Sequence, residues 1–139
     1  MKKTVLFLLL SIVSLSSSAM CYTVTNLQGG AVAKTNNFGF ANDRYSNTNF
    51  YIEDVEGKVW VDTDALQQSY KDYRQYKLNN SSYELFYSQG NGVTKIDFQI
   101  DPQSGKTVYT EIKSGWGMID GAKIMVGDLI NTTEGNCPR

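Results

Sequence analysis

The chain of 139 residues contains no histidine, only two prolines and only two cysteines. After its first nineteen residues it has no apolar run long enough to cross a bilayer. Each shortage excludes a class of chemistry. Without imidazole there is no Ser-His-Asp or Cys-His nucleophile pair and no HExxH zinc site. Any acid or base catalyst must then be a carboxylate, a lysine, a tyrosine or a main-chain group. Without roughly 18 consecutive apolar residues there is no membrane-spanning helix. Thirteen basic against fourteen acidic side chains leave a net charge of −1, which excludes the cationic surface that nucleic-acid binding demands.

What is present begins with an export signal. Met1-Lys2-Lys3 is basic, Thr4 to Leu15 is a short apolar run, and Ser17-Ser18-Ala19 supplies small residues before a cleavage point. This pattern predicts a signal peptide over residues 1–19, removed to leave one β-rich domain over residues 20–139. Loss of Lys2 and Lys3 takes the net charge from −1 to −3. The expected destination is the periplasm or medium of a bacterium. In such an oxidising compartment Cys21 and Cys137 are expected to pair as a disulfide that clamps the two ends of the domain. A lipid-modified Cys21 is disfavoured by Met20, which stands where lipoprotein processing requires a small residue. The absence of CxxC spacing argues against a redox pair.

Turn signals recur every eight to twelve residues, the spacing of an all-β barrel or sandwich. Tyr22 to Leu27 reads as a strand, Gln28-Gly29-Gly30 as a turn, and Ala31 to Thr35 as a second strand. Asn36 to Asn49 reads as a long irregular loop. Phe50 to Thr63 is the clearest hairpin. Its Glu56-Gly57 turn sets Val55 opposite Lys58 and Ile52 opposite Val61, placing Phe50, Ile52, Val59 and Val61 on one face. Leu66, Tyr70, Tyr73 and Lys77 then fall at helical spacing, predicting one α-helix near residues 64–78. Strands follow over Ser82 to Ser88, Val93 to Asp101 and Thr107 to Lys113. The last two are expected to pair Ile100 with Val108 and Ile96 with Ile112 through Gly105. Asp120-Gly121 reads as a type I′ turn into Ala122 to Ile130. The expected fold is a single antiparallel domain of about seven to nine strands with one helix, either barrel or sandwich.

Candidate functional residues lie on the hairpin face opposite Phe50, Ile52, Val59 and Val61, a face that either lies under the expected helix or looks outward. There Tyr51 and Trp60 sit among Glu53 and Asp62, and Trp116 adds a second tryptophan in a Gly-Trp-Gly context. Aromatic rings offer large apolar area with few rotors and are favoured at recognition surfaces. Two neighbouring carboxylates are also the equipment of a glycoside hydrolase, although nothing in the pattern supplies the desolvation that would split their roles. The Asn-rich loop, with Asp43 as its one carboxylate, is too poor in charge for a calcium site. No metal and no cofactor are expected. The first expectation for function is a non-enzymatic binding module for another protein, of inhibitor or immunity type. The alternatives are a glycan-binding or adhesion domain and a carboxylate hydrolase built on Glu53 and Asp62.

Overall fold

The computed structural model describes residues 19–45, 47–64, 70–132 and Cys137, with the backbone alone at 131 and 132. The expected signal peptide, but for Ala19, lies outside the described residues, as do 65–69 of the expected helix. Among the described residues nine strands run in chain order: β1 (Met20–Ala33), β2 (Phe40–Arg44), β3 (Phe50–Val55), β4 (Lys58–Thr63) and β5 (Arg74–Asn79). They continue as β6 (Ser82–Gln89), β7 (Gly92–Asp101), β8 (Lys106–Ser114) and β9 (Gly121–Thr132). All pair antiparallel in one sheet of order β4-β3-β1-β9-β8-β7-β6-β5. β2 and β3 share one edge of β1, pairing with residues 28–32 and 20–24 of that strand respectively. The result is a nearly closed barrel of eight positions that follows the chain order round.

Among the described residues, only the seam between β4 and β5 lacks a backbone ladder, and side chains bridge it. The Val61 N–H donates to Gln75 Oε1 at 2.5 Å, so β4 gives an edge donor to a side chain instead of a strand. Lys77 on β5 reaches Asp54 on β3 at 2.6 Å. An eight-position barrel is just wide enough for side chains to fill, and aromatic rings do so here. Phe50 is fully buried, with the Tyr45, Phe98 and Tyr109 rings at centroid distances of 5.3, 5.5 and 5.7 Å. Two carboxylates are buried with them. Asp54 accepts from Tyr83 and Lys77. Glu111, near the opposite end of the barrel, accepts from Tyr109, Tyr45 and Lys113. The Cys21–Cys137 disulfide forms as expected, across a separation of 116 residues. Closing a loop of that length is worth about 4–5 kcal/mol on chain-entropy grounds.

The hairpin register is as expected: Val55 pairs with Lys58 and Ile52 with Val61, with Glu56 and Gly57 both at positive φ. Five other expectations are corrected. Gln28-Gly29-Gly30 is not a turn but the middle of β1, where a Cβ on Gly29 would lie 2.0 Å from the Ile124 carbonyl oxygen. Part of the Asn-rich stretch forms β2. The helix expected near residues 64–78 is strand β5 from Arg74 onward. Its period-2 alternation escaped a hydropathy reading because the inward residues, Gln75 and Lys77, are polar and serve the seam. Finally, β7 and β8 pair one residue out of the expected register, with Asp101 opposite Lys106 and Ile96 opposite Glu111. Asp101 holds this longer turn, accepting from the Gln103 and Ser104 N–H groups, while Gly105 donates to its carbonyl. The slip turns Tyr109 and Glu111 inward and leaves Ile112 outside. Asp120-Gly121 is likewise no I′ turn; the Asp120 carboxylate accepts the Trp116 N–H at 2.7 Å and closes the β8–β9 loop.

Candidate partner-binding cleft

The inward fixing of Phe50, Ile52, Val59 and Val61 forces their neighbours outward, because successive strand residues face opposite sides. Tyr51 lies opposite Asp62 and Glu53 opposite Trp60. The four outward side chains thus alternate in a two-by-two pattern, each ring having a carboxylate across the ladder and another along the strand. Trp60 is 60% exposed. A hollow of about 360 Å³ opens on one side of it, lined by Tyr51, Glu53, Asp62 and Asp64 with Lys71 and Gln75. A second, of about 370 Å³, lies beside Val59 and Tyr73 and shares Trp60, Lys71 and Gln75. Trp60 thus borders both hollows, together with Lys71 and Gln75, over the barrel seam.

The walls are held in place from below. Asp64 accepts from the Asn49 N–H at 2.6 Å and from Asn49 Nδ2 at 2.8 Å. Thr63 Oγ1 donates to the Asn49 carbonyl at 3.0 Å. Gln75 spans the floor, its Nε2 donating to the Tyr70 carbonyl while its Oε1 takes the Val61 N–H. Cys137 also lines the first hollow, so the disulfide ties the end of the chain to this cleft. Three carboxylates and one ammonium give the lining of the first hollow a net negative charge. Asp62 is exposed and accepts the Thr63 N–H at 2.8 Å.

Four of the five expected site residues, Tyr51, Glu53, Trp60 and Asp62, meet at this cleft. Trp116 does not. It lies over Gly92 at the β6–β7 turn, where its ring leaves no room for a Cβ, and donates from Nε1 to the Val93 carbonyl at 2.8 Å. It stacks on Tyr87 with centroids 5.9 Å apart and planes 4° from parallel. Among the described residues, no group of three or more His, Cys, Asp or Glu side chains is placed to hold a metal ion. Asp43, from the Asn-rich stretch, is paired with Lys123 at 2.8 Å.

The sequence reading missed a second surface. Phe40, Ile112, Ile124 and Val126 are all more than half exposed on the outer wall of β2, β9 and β8. One signal was available: Ile124-Met125-Val126 is apolar on both faces of its strand, and only one face can point into a barrel. No family model, no curated protein and no solved structure matches this chain.

Proposed function

We propose that this chain is an exported, non-enzymatic binding module that takes a protein partner at the Trp60 cleft. The observation that carries the reading is a tryptophan 60% exposed between two hollows, with carboxylates on the same face. Tryptophan is among the side chains enriched at the energetic centres of protein interfaces, where it fills or borders pockets. Its surroundings select a cation with an apolar stem, which means an arginine or lysine side chain presented by the partner. A guanidinium over Trp60 gains about 0.5–2 kcal/mol from the ring face alone, and Asp62 and Asp64 lie within the same hollow to take its N–H groups. The negative lining adds steering of a basic partner, felt mainly in the association rate and its salt dependence. The Cys21–Cys137 disulfide supports residence in an oxidising compartment. A proton-transferring carboxylate pair needs one desolvated acid; the exposure of Asp62 favours charge recognition over hydrolysis.

The test uses Trp60 as its own reporter. In a Trp116→Phe background Trp60 is the one tryptophan left, and excitation at the red edge, beyond tyrosine absorption, reports it alone. Titration with an arginine-rich peptide should quench or shift the emission, and added salt should weaken the effect. An acidic peptide of the same length should do nothing. A response to neutral oligosaccharides with none to the basic peptide would replace the protein reading with glycan binding.

A further inference from the structure

We infer that the hollow at the Glu111 end of the barrel is a binding site for a small molecule with one carboxylate and an apolar body. The ladder register builds this site. Ile112 is exposed on the outside, so the rows on either side of it face inward. One row is Ala31, Lys123 and Glu111; the other is Ala33, Gly121 and Lys113. Two positions deeper on β9 and β8, Met125 and Tyr109 are buried and fill the barrel. Here β1 turns only Ala31 and Ala33 inward, and β9 only Gly121 beside its lysine. The missing bulk leaves a hollow of about 190 Å³, lined also by Thr35 and Ile119 from the two loops at this end. Lys34 N–H donates to the Asp120 carbonyl at 2.8 Å, joining those loops at the rim. The mouth of a β-barrel is a favoured place for a small-molecule site.

The charged groups of the hollow select an anion. Its lining holds two ammoniums, Lys113 and Lys123, against one carboxylate, Glu111. That carboxylate is already spent. Glu111, 2% exposed, accepts both the Tyr109 and Tyr45 hydroxyls on one oxygen and Lys113 Nζ at 2.6 Å on the other. The ammoniums are not spent. Lys123 gives one N–H to Asp43 at 2.8 Å, and Asp43 lines a different hollow, with Gln28 and Asn42. An ammonium has three donors, so each lysine keeps two for a ligand carboxylate. Both side chains are about three-quarters covered, where an ion pair gains more than it does in open water. Ala31, Ala33 and Ile119 are left to meet the rest of the ligand. A cavity of about 150 Å³ holds one benzene, so this one takes a single ring bearing a carboxylate, or a short chain of the same bulk. The hollow lies on β1, β8 and β9, apart from the Trp60 cleft on β3 and β4, and neither reading depends on the other.

Titration of benzoate into the oxidised protein, followed by the backbone amide signals in nuclear magnetic resonance, tests the inference. Saturable shifts are expected at residues 31–35, 111–113 and 119–123, with a Kd of about 1 mM or tighter for a ligand this small. Benzamide has the ring without the charge, and inorganic phosphate has the charge without the ring. Each should bind at least about fivefold more weakly, because each uses half of the site. Lys123→Met should weaken benzoate about tenfold, and Ala33→Leu should abolish its binding by filling the hollow. Both variants should keep the dispersed spectrum of the folded protein. No saturable shift up to about 20 mM benzoate would overturn the inference, since a Kd near 1 mM fills the site well below that. Benzamide or phosphate binding as tightly as benzoate, or affinity unchanged by both substitutions, would also overturn it.

Discussion

Trp60→Ala separates binding from stability more sharply than any other substitution. At 60% exposure, the covered part of the residue is on the order of 100 Å², worth about 2.5 kcal/mol at about 25 cal/mol per Å². A compact denatured chain and the retained Cβ reduce this to about 1–2 kcal/mol. A fully buried tryptophan would cost about 3–5 kcal/mol. Urea denaturation followed by circular dichroism measures the difference directly. Calorimetric titration with the arginine-rich peptide measures the other half, where losing the ring should cost about 2 kcal/mol or more, roughly thirtyfold in affinity. A stability loss in the buried range, or peptide affinity unchanged by the substitution, would refute the reasoning.

Three further outcomes follow from the geometry. Trp116→Ala should lower stability, through the lost Tyr87 stack and the uncovered Gly92, while leaving peptide affinity intact; the same denaturation and titration pair reads both. Glu111→Ala should cost about 2–4 kcal/mol in urea denaturation, because it leaves the buried Tyr109 hydroxyl and the Tyr45 hydroxyl without their acceptor and removes the partner of the partly exposed Lys113 ammonium. Burial first, and then the neighbouring Glu111 or Asp54 carboxylate among other groups, raises the ionisation of Tyr70, Tyr83 and Tyr109 above the ordinary tyrosine value of 10.0. The folded state therefore keeps protons that the unfolded chain releases. Their stabilisation is fully present below about pH 10 and is lost as pH rises beyond it. Tyrosinate absorbance from these three residues should appear together with the loss of far-ultraviolet dichroism; a smooth titration without unfolding would contradict their burial.

The parts of the fold legible in the sequence were those where local chemistry and hydropathy agree. Glu56-Gly57 takes the two left-handed conformations of a tight turn, and the residues around it alternate cleanly, so the register and the side of the sheet carrying Trp60 were readable, while its exposure was not, because a helix was expected to follow and to cover or spare that side. Along β7, Ile96, Phe98 and Ile100 face inward as their alternation implied. The illegible parts share one cause: polar residues that point into the barrel and are satisfied there. Gln75 and Lys77 disguised β5 as a helix. Glu111, buried and partnered by Tyr109, Tyr45 and Lys113, lay behind the one-residue error between β7 and β8. A hydropathy rule places Ile112 inside and Glu111 outside; the structure does the reverse, and the apolar outer wall follows from that. Glycines misled for a related reason, since Gly29 marks close approach to β9 and not a turn.

The central claim is that the Tyr51, Trp60 and Asp62 face meets a basic protein partner. Its most direct test is cross-linking in the producing cell, with a photo-reactive phenylalanine analogue replacing Lys71, which lines both hollows, and, separately, Leu78 on the outer face of β5. One discrete protein adduct is expected from position 71, with the cross-linked segment containing an arginine or lysine, and no matching adduct from position 78. An adduct from position 78 alone, or none from position 71 while the protein is folded and oxidised, would contradict the claim.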